Sequence, residues 1–259
     1  MLNEKGLAAD VLWLDEADYG KFKAGEETIG ITEQLQYFVD NFATVNEVVN
    51  YVQNNKNRVE TSKNDTISGF PLTLHYIVTD KTGDNAIIEY INGEPKVYRQ
   101  KGRIVMTNSP EYDKMLAINK YFKEAGGLNM PGSSLSQARF VYLSAWLKEF
   151  TDTKLPRYIN GIKNKDMNTQ TVLSALSLMR GVSTPVGVVP SLEAPNNTST
   201  VWRTISDVKN LKFYYDSALS FSTIWFDLNK IDFTKNQKFE IATGESVYGD
   251  MTNKLKEIK

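Results

Sequence analysis

Residues 72–108 constrain the fold more than any other stretch of the chain. LTLHYIVTD (72–80) alternates apolar and polar residues and is rich in β-formers. A Thr82-Gly83-Asp84 turn leads to NAIIEYI (85–91), and Asn92-Gly93 then offers the two positive-φ positions that a type I′ hairpin needs. PKVYRQ (95–100) and RIVMTN (103–108) continue the pattern, so the spacing predicts an antiparallel meander. Such a sheet must bury an apolar face against another layer.

The flanking sequence supplies that layer. Ile31, Leu35, Phe38 and Phe42 recur at helical steps within 25–51, with Val39 beside the stripe. Thr44 with Glu47 reads as a capping box opening a second short helix, whose apolar face is Val45, Val48, Val49 and Val52. Residues 5–15 (KGLAADVLWLD) read as an earlier strand, and the polar run 54–68 as a surface loop. After Ser109-Pro110, Glu111–Glu124 reads as a helix closed by Gly126-Gly127. Leu135–Phe150 and Asn168–Met179 read as two more, the last capped by Asn168 or Thr169. Residues 152–167 and 181–200 read as irregular. TVWRTISD (200–207), KFYYDSA (212–218) and TIWFDLN (223–229) return to strands. The order strands, helices, strands predicts an α+β fold with antiparallel sheet rather than a doubly wound parallel one, in a single domain over 1–259.

Composition excludes several kinds of chemistry. The chain has no cysteine and one histidine, so it holds no disulfide, thiolate metal site or cysteine nucleophile, and a multi-histidine metal site is disfavoured. The net charge is −1 and the basic residues are scattered, which argues against nucleic acid and anionic membrane as partners. No run of 18 apolar residues predicts a membrane span. No cofactor motif is present: Gly126-Gly127 and 181–187 lack the strand–GxGxxG–helix context. The cysteine count fits cytoplasmic and periplasmic life equally.

Among polar residues, His75 inside its strand reads as a packed, hydrogen-bonded residue. Asp15, Glu16 and Asp18 read as a solvated loop at a strand end. Asn108, ending the β-rich run in VMTNSP, either donates its amide into a cleft or forms an Asx-turn supporting Ser109-Pro110. Arg139, among Ala138, Phe140 and Val141, either pairs a buried acid or faces a pocket.

Six segments together carry a resemblance. NEKGLAADVLWL (3–14), DNFATVNEVV (40–49), AIIEYINGEP (86–95), VMTNSPEYDKMLA (105–117), MPGSSLSQARF (130–140) and WRTISDVKNLKFYY (202–215) resemble, in order, the choloylglycine hydrolase family of bile salt hydrolases and penicillin V acylases. The DNFATV and STVWR segments are similar to the Gram-negative branch, with Val201 where that branch usually has Arg. The resemblance implies an N-terminal-nucleophile hydrolase with an αββα sandwich, no cofactor, a homotetramer, and a small-molecule N-acyl amide as substrate, conjugated bile salt first and penicillin V next. It implies that an N-terminal cysteine thiolate attacks the amide, helped by its own α-amino group. It implies catalytic roles for three residues: Asn108 as an oxyanion-hole side chain, Trp13 as the other oxyanion position through its backbone N–H, and Arg139 as the active-site arginine.

In the family the nucleophile lies before N-E-K-G, a motif this chain reaches at residue 3. The expectation is therefore a family member without its opening strands, inactive alone, with exposed strand edges. The alternative is a non-catalytic acyl-binding or assembly module that keeps the pocket.

Overall fold

The computed structural model describes residues 1–258 except 22–24, 55–57, 62–64, 68–69, 126–130, 153–158, 189–197 and 242–246. The meander forms over Leu74–Lys101, without the last predicted run. Strands β2 (Leu74–Asp80), β3 (Asp84–Ile91) and β4 (Glu94–Lys101) pair antiparallel, and β1 (Leu7–Trp13) adds antiparallel to β2, so the sheet order is β1-β2-β3-β4. Asn92 and Gly93 take φ of 54° and 79°, the positive pair that the turn requires.

Strand alternation gives this sheet two different faces. Leu7 and Ala9 of β1, Tyr76 and Val78 of β2, and Ala86, Ile88 and Tyr90 of β3 are buried in one cluster with helices α1 (Gln34–Asn41) and α2 (Val45–Asn54). The valine stripe of α2 is wholly inside it. Burying each valine is worth roughly 1.5–3 kcal/mol before entropy. The capping box forms: Glu47 accepts the Ala43 and Thr44 N–H groups at 2.7 and 2.9 Å, and Thr44 Oγ1 accepts the Glu47 N–H at 3.2 Å. On the opposite face, Ile77, Ile87 and Tyr98 pack with Tyr112, Met115 and Phe140 of α3 (Tyr112–Ala125) and α4 (Ser136–Asp152).

The second sheet comes from the C-terminal part. Strands β5 (Trp202–Asp207), β6 (Lys212–Ser217) and β7 (Thr223–Asp227) form an antiparallel meander, and β8 (Gly249–Asp250) joins β7 in parallel. Helix α5 (Met167–Gly181) is tied to this sheet by Asp216, which accepts from Arg180 Nη2 at 2.5 Å, Arg203 Nε at 2.7 Å and Thr223 Oγ1 at 2.7 Å. The fold is α+β, as the element order predicts. No helix among the described residues is long and apolar enough to cross a membrane.

Four readings need correction. Ile31 lies ahead of α1, after a short strand Thr28–Gly30. That strand pairs in parallel with Arg58–Glu60, inside the run read as loop, and buries Val59. Residues 103–108 form no strand; Val105 and Thr107 are buried by packing rather than by a ladder. Helix α5 is capped by Asp166, whose carboxylate accepts the N–H groups of Asn168 and Thr169. Gly126-Gly127 falls outside the described residues.

The N-E-K-G segment has a structural role. Asn3 is buried and donates to the carbonyls of Val39 and Phe42, both at 2.8 Å, so it binds the C-terminal end of α1 to β1. Its Oδ1 accepts the N–H of Leu7 at 2.9 Å. Gly6 has φ of +87°, and a Cβ there would meet the Val208 carbonyl at 2.8 Å, so a side chain is excluded on both counts.

Candidate active site

Trp13 ends β1, an edge strand. In an antiparallel ladder, alternate residues direct both backbone polar groups toward the neighbour or away from it. Leu14 N–H donates to Thr73 at 3.0 Å, which puts the even-numbered residues of β1 in the inward set. Trp13 therefore points its N–H and C=O outward from the sheet, as does Ala9, whose N–H donates to the Met1 carbonyl at 3.1 Å.

Asn108 meets that edge. Its Nδ2 donates to the Trp13 carbonyl at 3.0 Å, and its Oδ1 accepts from Arg139 Nη2 at 2.8 Å. A guanidinium only donates and a carbonyl only accepts, so the two contacts fix the amide without ambiguity. One Nδ2 hydrogen serves Trp13; the second, like the outward Trp13 N–H, meets no acceptor among the described residues. The turn that carries Asn108 is tied to the same strand end. Ser109 Oγ accepts the Asp15 N–H at 2.8 Å, and Trp13 Nε1 donates to Asp15 Oδ1 at 2.7 Å.

Arg139 stands in the first turn of α4 and also donates through Nε to the Ser134 carbonyl at 3.0 Å. Among the described residues it forms no ion pair; burial alone pushes its pKa down. Of the two readings of Arg139, the buried-acid pair is not formed among the described residues, and carbonyl partners stand in its place. Asn108 likewise forms no Asx-turn, since the residue two positions on is Pro110, which has no N–H to donate. The three residues expected at the site, Trp13, Asn108 and Arg139, thus converge from β1, the loop before α3, and α4.

The structure adds residues that the sequence left obscure. His75 is packed and hydrogen-bonded as read, its Nδ1 lying 3.0 Å from Glu89 Oε1. Glu89 is fully buried, and both its oxygens accept the Tyr112 N–H, at 3.1 and 3.2 Å. A carboxylate at a helix N-terminus satisfies an orphan donor and complements the dipole. It also anchors the exit of the Asn108–Pro110 turn. Glu89 sits in an apolar strand with no sequence cue to this role. The carboxylates Asp15 and Asp18 serve local contacts, Asp15 accepting from Trp13 Nε1 at 2.7 Å and Asp18 from the Gly20 N–H at 2.9 Å.

The profile of the linear amide C–N hydrolases, choloylglycine hydrolase family, matches residues 1–243. A penicillin V acylase of Pectobacterium atrosepticum is 39% identical over 239 residues, 90% of this chain and 62% of its own length. A bile salt hydrolase/transferase of Lactiplantibacillus plantarum is 28% identical over 163 residues, 54% of this chain and 49% of its own. The chain therefore spans between about half and two thirds of these curated relatives. The structure of penicillin V acylase from Agrobacterium tumefaciens superposes with a TM-score of 0.82 at 32% identity, over 100% of this chain and 76% of that one. A variant of conjugated bile acid hydrolase from Clostridium perfringens shares the fold, with a TM-score of 0.74 at 19% identity over 95% of this chain and 78% of that one.

Proposed function

Because this chain belongs to the choloylglycine hydrolase family of linear amide C–N hydrolases, we propose that it carries the oxyanion-binding half of an active site that cleaves N-acyl amides. The observation that carries this reading is the Arg139–Asn108–Trp13 relay, which leaves two N–H groups on one strand edge, one from the Asn108 amide and one from the Trp13 backbone. In amide hydrolysis by a thiolate, attack on the carbonyl carbon moves its π electrons onto oxygen, and preorganised donors stabilise that oxyanion. Asn108 Nδ2 and Trp13 N–H are those donors. Arg139 holds the Asn108 amide in its donating orientation and adds a positive charge beside it.

The 259 residues contain no cysteine, so the thiol of this reaction is not among them. The chain alone binds ligand and does not turn it over. Likeness to penicillin V acylases in both sequence and structure moves a phenoxyacetyl amide ahead of conjugated bile salt as the first substrate to try.

Calorimetric titration with penicillin V and glycocholate, with product detection in parallel, tests the proposal. The expected result is saturable binding without turnover, weakened by Asn108→Ala. Turnover above buffer would overturn the statement that the chain lacks its nucleophile. Binding unaffected by Asn108→Ala would remove the assigned oxyanion donor. Acyl binding that resists Asn108→Ala but disappears on changing α2 or its neighbours would instead favour the non-catalytic pocket module.

A further inference from the structure

A cavity of about 600 Å³ opens between α1, α2 and the β3–β4 hairpin, on the opposite face of the sheet from His75 and Glu89. Gln34, the first residue of α1, lines it and is only 1% exposed. Gln34 Nε2 donates to the Tyr90 hydroxyl at 2.6 Å, while its buried Oε1 has no hydrogen-bond partner among the described residues. A buried amide carbonyl left unmatched costs free energy, so a native chain keeps one where something donates to it.

The rest of the wall says what kind of donor. Tyr19, Tyr51 and Tyr90 bring aromatic rings to the cavity, with Tyr19 and Tyr90 centroids 5.2 Å apart. Ring faces attract cations. Among the described residues, Glu27 and Glu94 bring carboxylates to the wall beside Arg58. That guanidinium is already engaged, donating to the Gly93 carbonyl at 2.7 Å and lying 3.8 Å from Glu94.

We propose that this cavity is a second binding site, separate from the amide-hydrolase site, which takes an organic ammonium ion on an apolar body. The ammonium N–H donates to Gln34 Oε1, the charge lies over the tyrosine rings in the field of the glutamates, and the apolar part packs on Ile29 and Val52. The proposal does not depend on the amide-hydrolase reading, since none of Trp13, Asn108 and Arg139 lines the cavity.

The test is calorimetric titration of the 259-residue chain at pH 7 with phenethylammonium, and with phenylacetate as the anionic counterpart. Phenethylammonium should bind saturably and at least about tenfold more tightly than phenylacetate, and Gln34→Leu should weaken it about tenfold, the effect of losing one charge-assisted hydrogen bond. Glu27→Gln, on the exposed rim, should weaken it severalfold and serves if Gln34→Leu fails to fold, as read by circular dichroism. Absence of saturable heat would mean that the cavity holds water alone and would overturn the proposal. Equal affinity for phenylacetate, or wild-type affinity in both variants, would overturn it as well.

Discussion

Arg139 Nη2 donates to Asn108 Oδ1 at 2.8 Å, and this bond decides which way the Asn108 amide faces. Without it the amide could present its carbonyl to the Trp13 edge, where a carbonyl already stands. With it, the amide can only donate there. Arg139 therefore acts on the strand edge through Asn108 rather than by reaching it.

Arg139→Lys should behave almost like Arg139→Leu. The guanidinium reaches Ser134 through Nε and Asn108 through Nη2 at the same time, a fork that an ammonium does not reproduce. Either change should cost about 1–3 kcal/mol in urea unfolding and lower penicillin V affinity about tenfold in calorimetry. Wild-type affinity in Arg139→Lys would show that charge, not the fork, sets the amide.

Removing the Glu89 carboxylate should destabilise the protein more than most single changes. Glu89→Ala strands the buried His75 Nδ1 and the Tyr112 N–H together, at a cost of roughly 2–4 kcal/mol. Denaturant melts measure this. His75 is the sole histidine, so its imidazole proton resonances are a single clean reporter. They should move in Glu89→Gln, whose shape is kept; unmoved resonances would mean that the pair is not formed.

Asp216 predicts one component of acid unfolding. Burial opposes its ionisation, but hydrogen bonds from Arg180, Thr223 and Arg203 prevail and hold its carboxyl down at about 2. A carboxyl depressed in the folded state stabilises it above the unfolded value of about 3.9. That contribution is lost as pH falls from roughly 4 toward 2. Asp216→Asn should lower stability at pH 7 and flatten the stability curve below pH 4. A stability curve parallel to wild type across that window would count against the assignment.

Gly20 and Gly93 should resist substitution as a pair. Both have positive φ, and a Cβ on Gly20 would come within 2.8 Å of Gly93 Cα. Gly20→Ala and Gly93→Ala should each cost on the order of 1–2 kcal/mol, seen as a lower denaturation midpoint. The double variant should cost more than the sum, because both side chains would need the same space.

What proved legible was local. The Asn92-Gly93 turn, the Thr44–Glu47 box and the valine stripe are decided by residues at most a few positions apart, so the chain states them directly. The three candidate site residues were named only through motif resemblance. Their own chemistry left Asn108 and Arg139 with two readings each, and neither Arg139 reading included an amide partner. The strand at Arg58–Glu60 was missed because its partner, Thr28–Gly30, lies before two helices, and three-residue strands carry almost no pattern.

By itself the sequence determined the α+β class, the sheet face that must be buried, and the absence of any thiol within these residues. Tertiary structure alone decided how Trp13, Asn108 and Arg139 meet, that Glu89 holds the exit of the Asn108 turn, and that Gln34 lines a cavity with a carbonyl unmatched among the described residues. The reason is physical. Periodicity and capping follow from backbone geometry over one or two turns. Hydrogen-bond partners 31 and 95 residues apart are fixed only when packed layers bring distant strand ends and helix starts to the same edge.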